Sequence, residues 1–275
     1  MNYSDFEKIV FNNIEDFNPV HIFECGQVFR WLPNGNSYIG VCGSYAARVS
    51  YEDGMVVIEA SGGDREFWSN YFDLETDYSE IKEAIIKNEP KIRAATEYGC
   101  GIRILNQDLF ETIISFIISQ NNNIPRIRKN IESLCEKYGE PITEIDGRTV
   151  YAFPTPEALA NANVDDLAAL KLGYRSAYIK ESSREFMQDG CPKCREDLIK
   201  MHGIGPKVAN CIMLFGLGDV AAFPVDTWVR HIMNDMYGFS ESDAKGMMEF
   251  AHEKFGDYAG YAQQYLFYYY REKGK

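Results

Sequence analysis

Between Val28 and Glu59, apolar and polar positions interleave over four short runs: Val28–Trp31, Tyr38–Cys42, Ala46–Tyr51 and Met55–Glu59. A period of two sends successive side chains to opposite faces of a strand. The runs are separated by Asn34-Gly35, Gly43-Ser44 and Asp53-Gly54, pairs that accept the positive φ angles of tight hairpins. The stretch from His21 to about Ala60 therefore predicts an antiparallel meander. The pattern then changes. Residues 64–95 read as helical, with Phe67, Trp68, Tyr71 and Phe72 on an apolar face. From about residue 96 the spacing predicts helices over 106–119, 124–138, 156–160, 164–170, 174–189, 194–201, 206–216, 226–237, 242–256 and 258–271. Pro141, Pro154, Pro192 and Pro224 mark breaks between them. The expected class is α+β, with an N-terminal antiparallel β-domain over 1–95 and a helical domain over 96–275.

Composition narrows this picture. The chain has 275 residues, of which 45% are hydrophobic, enough for a substantial core without any long low-complexity tract. No apolar run approaches the roughly 20 residues needed to span a bilayer, so no membrane role is expected. The opening residues, Met1 to Lys8, lack a signal-peptide pattern, which makes an intracellular location the expectation. Seven cysteines is an odd count, better suited to reduced thiols than to a disulfide framework. The net charge of −13 opposes general binding to nucleic acid. Positive charge is nevertheless grouped in two acid-free stretches: residues 119–131 carry Arg126, Arg128 and Lys129, and residues 171–180 carry Lys171, Arg175 and Lys180. Short basic runs are commonly solvated faces. As the walls of one groove, they would require the acidic residues to lie mostly elsewhere.

The most informative segment runs from Leu198 to Cys211 and continues to Pro224-Val225-Asp226-Thr227. It reads as helix, glycine hairpin (Gly203-Ile204-Gly205) and helix, with Pro206 suited to the first helical position. The amides of Gly205, Lys207 and Val208 would then stand unpaired at a helix N-terminus, where they and the helix dipole favour a phosphate. Lys207 and Cys211 share a face at i, i+4, while Val208, Ala209, Ile212 and Met213 form the apolar one. A lysine partly desolvated at the positive end of a helix should have a lowered pKa, and a neutral amine can form a Schiff base. Asp226 suits an N-cap and also suits stabilising positive charge on a substrate. Alone, Gly203-Ile204-Gly205 is an ordinary turn and Lys207 an ordinary surface charge. Together they point to chemistry on nucleic acid.

Four further motifs occur in order along the chain: Cys25-Gly26-Gln27-Val28-Phe29-Arg30-Trp31, Ser119 to Ile127, Leu172-Gly173-Tyr174-Arg175, and Ala259 to Phe267. With the hairpin, Lys207 and Asp226, they resemble the 8-oxoguanine DNA glycosylase/AP lyase family of the helix-hairpin-helix DNA glycosylase superfamily. The resemblance covers about residues 20–270. It implies an N-terminal β-sheet domain with helices, followed by an all-helical helix-hairpin-helix glycosylase domain. It also implies an enzyme that extrudes a damaged nucleotide from duplex DNA, excises the base and cleaves the strand. In that family the partner is double-stranded DNA with 8-oxoguanine opposite cytosine, the enzyme is a monomer, and its place is the bacterial cytoplasm or the eukaryotic nucleus.

The resemblance assigns roles residue by residue. Lys207 and Asp226 are catalytic. Phe267 and Cys211 would sandwich the flipped base, Gln263 would read its polar edge, and Gln27 would belong to the same pocket. The Gly26 carbonyl would accept the N7 hydrogen that distinguishes oxidised from normal guanine. Asn121 would fill the vacated space, Tyr174 would wedge between base pairs, and Arg126 and Arg175 would donate to the orphaned cytosine. Gly203, Gly205, Val208, Trp228 and Arg230 complete the DNA contacts. No cofactor is implied, beyond room for a structural cation on the hairpin carbonyls, and no metal site. Each role has a plainer alternative: core packing for Phe267 and Cys211, a β-bulge for Gly26, a helix end and loop for Asn121 to Asn123. Trp228 stands where the family commonly has histidine, leaving Arg230 and His231 as substitute phosphate contacts. There is no four-cysteine iron–sulfur pattern, and Cys191 with Cys194 is a lone thiol pair. Two rivals remain at this stage. A monofunctional alkylbase glycosylase needs the aspartate but not Lys207, and a non-catalytic helix-hairpin-helix DNA-binding protein needs neither.

Overall fold

The computed structural model describes residues 6–273; residues 1–5, where the N-terminal reading begins, and residues 274–275 lie outside the described residues. The chain opens with β1 (Glu7–Phe11) and α1 (Pro19–Glu24), then runs through β2 (Leu32–Asn34), β3 (Ser37–Cys42), β4 (Tyr45–Glu52) and β5 (Met55–Ala60). These five strands form one antiparallel sheet in the order β1-β5-β4-β3-β2. The expected meander is thus present, with β1 added to its far edge through pairs such as Ile9 with Ile58. After the sheet come α2 (Arg65–Tyr71), α3 (Tyr78–Asn88) and α4 (Arg93–Tyr98), then α5 (Leu109–Ser119) and α6 (Ile124–Tyr138). A hairpin, β6 (Pro141–Ile145) and β7 (Arg148–Tyr151), interrupts the helices. Next are α7 (Pro156–Ala160), α8 (Val164–Ala169), α9 (Arg175–Asp189), α10 (Arg195–Lys200), α11 (Pro206–Gly216), α12 (Thr227–Tyr237), α13 (Ala244–Phe255) and α14 (Ala259–Lys273). The class is α+β, as expected.

Three departures from the sequence reading have local causes. β1 precedes the stretch in which the meander was expected, and α1 occupies the first residues of that stretch, His21 to Glu24. The β6–β7 hairpin turns through Asp146-Gly147, both with positive φ, where only a break between helices was predicted. Its Ile145 joins Val41 and Ala46 in a small core of its own, which ties the hairpin to the sheet. Val28–Trp31 is not a strand; pairing with β3 begins at Leu32. All four of these residues are buried, because the segment lies between the two main cores. Cys25 and Phe29 enter the helical core, whereas Val28 and Trp31 enter the β core. A segment wedged between two apolar bodies alternates in sequence as a strand does, yet has no edge free for pairing. Tyr78, Ile81, Ile85 and Ile92, all before residue 96, also pack into the helical core.

One side chain fixes this wedge. Gln27 is fully buried, and its amide nitrogen donates to the carbonyls of Ile22 (3.0 Å) and Arg103 (2.8 Å). Its amide oxygen accepts from the Leu105 N–H at 2.9 Å, and its own carbonyl accepts from Gln107 at 3.0 Å. Buried amides and carbonyls are costly when unpaired, and the Gln27 side chain satisfies three backbone groups, sharing only the Ile22 carbonyl with the Cys25 thiol. A Gln27→Leu variant should therefore lose about 2–5 kcal/mol of unfolding free energy, from backbone groups left desolvated. Urea denaturation measures this. A loss under about 0.5 kcal/mol, the usual surface range, would show that the amide is not a structural clasp.

Candidate active site

The hairpin between α10 and α11 is built as its glycines dictate, though the two differ. Gly203 has φ +78°, and a Cβ there would collide with the Tyr178 ring. Gly205 instead is extended, and a Cβ would meet nothing within 4 Å. Its lack of a side chain keeps the space ahead of α11 open. Pro206 occupies the first helical position, and no side chain caps the N-terminus of α11, which leaves its first amides available. Val208 is buried in the core, so it can offer a DNA contact only through its backbone. The carbonyls of Met201, His202 and Gly203 accept from Ile204 N–H, the Ser182 hydroxyl and the Gln120 amide. These three carbonyls are thus engaged within the protein.

Asp226 caps α12 by accepting from Val229 N–H at 2.8 Å. That bond uses one carboxylate oxygen and aims the residue into a cavity of about 410 Å³, within the range of small-molecule sites. Lys207, Cys211, Gly26, Gln263, Phe267 and Trp228 line the same cavity. Segments distant in sequence meet here because α14 passes close to the loop before α12. The Gly260 N–H donates to the Val220 carbonyl at 2.8 Å, and a side chain at Gly260 would collide with Leu214. Gly26 has φ +85°, and a Cβ there would sit 3.2 Å from Phe267 Cε1. It lies between α1 and β2, which removes the bulge alternative.

A second, open depression of about 610 Å³ shares Lys207, Asp226 and Trp228 with the cavity. It is lined further by Asn121, Gly205, Val208 and Arg230. Among the described residues, Asp226 is the one acidic residue lining either space. The chain's net charge of −13 is therefore kept off this face.

Electrostatics correct one expectation. The Cys211 sulfur, followed in effect by the Asp226 carboxylate, raises the Lys207 pKa above the ordinary lysine value; burial acts in the other direction and is outweighed. The predicted lowered pKa considered burial and the helix end, and missed these two neighbours. Burial pushes the Cys211 thiol up, and the Lys207 charge beside it acts in the other direction. Lys207 Nζ also stands 5.9 Å from the centre of the Phe116 ring, which stacks on Phe215 at 5.5 Å.

Other predicted residues fall less evenly. Asn121 has φ +47° and its amide lies 3.4 Å from the Tyr174 hydroxyl. Tyr174 is 48% exposed, as a wedge must be. Arg126 is exposed and reaches the Lys171 carbonyl at 3.4 Å. Arg175 is a correction: it is buried beneath the Asn121 loop, and its guanidinium donates to the carbonyls of Leu172, Gln120 and Asn121. It holds that loop and does not face outward. Arg128 likewise leaves the groove to pair with Glu24 at 3.0 Å. Gln27 lines no part of the cavity, because its amide is engaged as described above. Arg230 donates to the Glu241 carbonyl, and His231 pairs with the Glu241 carboxylate at 2.7 Å. Trp228, 41% exposed, bridges the cavity and the depression.

Sequence reasoning missed Phe29, Phe116, Gln264 and Arg271, all of which line the cavity. For Phe116 the signal is its place on the α5 face towards α11. For Arg271 it is the i, i+4 spacing from Phe267 along α14.

Comparison with known proteins extends this geometry. Residues 9–113 match the family described as the 8-oxoguanine DNA glycosylase N-terminal domain, and residues 114–257 match the HhH-GPD superfamily of base excision DNA repair proteins. A probable N-glycosylase/DNA lyase of Methanothermobacter thermautotrophicus is 33% identical over 232 residues, covering 74% of this chain and 72% of that protein. An N-glycosylase/DNA lyase of Arabidopsis thaliana is 28% identical over 274 residues, covering 89% of this chain and 75% of that protein. The crystal structure of Clostridium acetobutylicum 8-oxoguanine glycosylase/lyase with DNA containing cytosine opposite 8-oxoG superposes with a TM-score of 0.91. It is 39% identical and covers 98% of this chain and 100% of that one. By matched sequence, by the arrangement of its hairpin, lysine and aspartate, and by its fold along nearly the whole chain, this protein belongs to the 8-oxoguanine DNA glycosylase family of the HhH-GPD superfamily of base excision DNA repair proteins.

Proposed function

We propose that the protein is a bifunctional glycosylase/AP lyase that excises 8-oxoguanine from duplex DNA, preferably opposite cytosine. The observation that carries this reading is the convergence of Lys207, Asp226, Cys211, Gly26 and Phe267 on one cavity that opens into an acid-poor depression. The DNA backbone would run along that depression, with a phosphate on the uncapped N-terminus of α11. The target nucleotide would turn out of the stack into the cavity, its base between Phe267 and Cys211 and its edge against Gln263. The Gly26 carbonyl would take the N7 hydrogen. Asn121 would enter the gap left in the duplex, held by Arg175 from beneath, with Tyr174 as the wedge. Arg126 remains as the cytosine reader. Every part comes from one chain, in keeping with a monomer.

The chemistry begins with a proton. Lys207 must lose one before it can attack, and the entering nucleotide favours this by expelling water and deepening the burial that already opposes its charge. The neutral amine attacks C1′, and the C1′–N9 bond breaks with its electron pair passing to the purine. The proton released by the new C1′–Nζ bond neutralises the departing base. Asp226 stabilises positive charge developing on the sugar. Opening of the sugar ring, with a proton to O4′, gives the Schiff base. The iminium acidifies the C2′ hydrogen, and its removal expels the 3′ phosphate.

Three outcomes test this reading. Lys207→Gln should retain binding to lesion-bearing duplex and lose both base release and strand cleavage by a factor on the order of 10³ or more. Base release at the wild-type rate would refute Lys207 as nucleophile. Cys211→Ala removes the largest influence raising the Lys207 pKa. Because only the neutral amine attacks, a lower pKa means more reactive protein at a given pH. The rising limb of the pH–rate profile should therefore move to lower pH, and a limb that stays in place would contradict the attribution. Arg126→Ala should reduce preference for cytosine over the other opposite bases by about tenfold. A wild-type enzyme that cleaves equally opposite all four bases would remove that role altogether.

A further inference from the structure

Arg271 stands on α14, one turn beyond Phe267, with its guanidinium almost fully buried at the wall of the cavity. Most of its donors are accounted for. Nε and Nη2 reach the Glu272 carboxylate at 3.3 and 3.1 Å, and Nη2 also donates to the Glu24 carbonyl. The remaining nitrogen, Nη1, is buried and has no hydrogen-bond partner among the described residues. A desolvated guanidinium donor without an acceptor is costly, and native proteins rarely keep one without a use. Its location suggests the use. Nη1 lies 3.5 Å from where a Gly26 side chain would begin, and the guanidinium carbon sits 5.2 Å from the centre of the Phe267 ring. The free N–H group is therefore beside the two residues that would define the N7 edge and the face of a bound purine.

We infer that Arg271 Nη1 donates to the carbonyl oxygen at C8 of the extruded base. This rests on the reading of the cavity as an oxidised-purine site and adds to it a second contact. Gly26 would test for the hydrogen on N7, and Arg271 for the oxygen next to it. Normal guanine has neither group. The contact also serves the chemistry. When C1′–N9 breaks, the electron pair left on N9 spreads through C8 onto this oxygen, so a guanidinium there stabilises the leaving group as its charge develops. The substrate class that follows is purines bearing a strong acceptor at C8.

A substrate-by-mutant comparison tests this directly. Single-turnover base release is measured on duplexes with 8-oxoguanine or 8-thioguanine opposite cytosine; the sulfur analogue keeps N7–H but replaces the oxygen with a weak acceptor. Each rate is divided by borohydride trapping of the same protein on an abasic duplex, so that a general loss of folded enzyme cancels. Wild type should favour the oxygen substrate by roughly 10–100-fold, the size of a hydrogen bond to a charged group. In Arg271→Met that preference should fall close to unity. Retention of the full preference in Arg271→Met, or its absence in wild type, overturns the inference. If Arg271→Met does not fold, Arg271→Lys, which keeps the charge but shortens the donor, should show a reduced preference; an unchanged one overturns the inference equally. Wild-type protein that releases no 8-oxoguanine while still trapping on abasic DNA instead overturns the reading of the cavity itself.

Discussion

The active face depends on a buried cross-link made by one amide. Gln27 joins the end of α1 to the strand-like run at Arg103–Leu105, and so holds the Cys25–Trp31 segment between two hydrophobic bodies. That clamp sets Gly26, with its positive φ, against Phe267 from the last helix. The N-terminal part of the chain thus supplies one wall of a cavity whose other walls are helical. A cavity made this way is rigid where base recognition needs rigidity, because its walls are packed from both sides.

Charge is arranged on the same economy. A protein with a net charge of −13 must keep acid away from any surface that meets DNA, and among the described residues Asp226 is the one acidic residue lining the cavity or the depression outside it. Its placement is itself structural, since capping α12 fixes the carboxylate before any substrate arrives. Asp226 and Cys211 together keep Lys207 charged in the free protein. In the mechanism proposed above, a charged lysine attracts the DNA backbone and becomes a nucleophile once a bound nucleotide has excluded water, which would separate attraction and nucleophilicity in time.

Much of this could be read from the chain. Helical periodicity located α5, α6, α9, α11, α12 and α14 to within a few residues, helped by boundary residues such as Pro125 and Gly139 of α6, Gly190 after α9, Pro206 of α11 and Gly238 after α12. Pro206 at the start of α11 and Asp226 as cap were visible for the same local reason. What could not be read was whatever depends on two distant segments at once. Val28–Trp31 alternates as a strand does, but its alternation serves two cores. Arg175 carries the sequence signature of an exposed reader, yet two carbonyls of the Asn121 loop, with that of Leu172 in its own segment, draw it inward. The Lys207 pKa reversed its expected direction because Cys211, one turn along α11, and Asp226, brought in from the start of α12, together outweigh burial. Arg271 shares a face of α14 with Phe267, but the unpartnered state of its Nη1 among the described residues is visible only in the fold.

The central claim is that Lys207 is the atom-bearing link between protein and DNA. The most direct measurement is borohydride reduction of the protein with a duplex carrying one 8-oxoguanine opposite cytosine, followed by proteolysis and mass spectrometry of the adduct. The account predicts a single modified peptide spanning residue 207, with the added mass on the Lys207 side chain and no adduct on the undamaged duplex. An adduct carried by any other amine, or base release with no adduct at all, would contradict it.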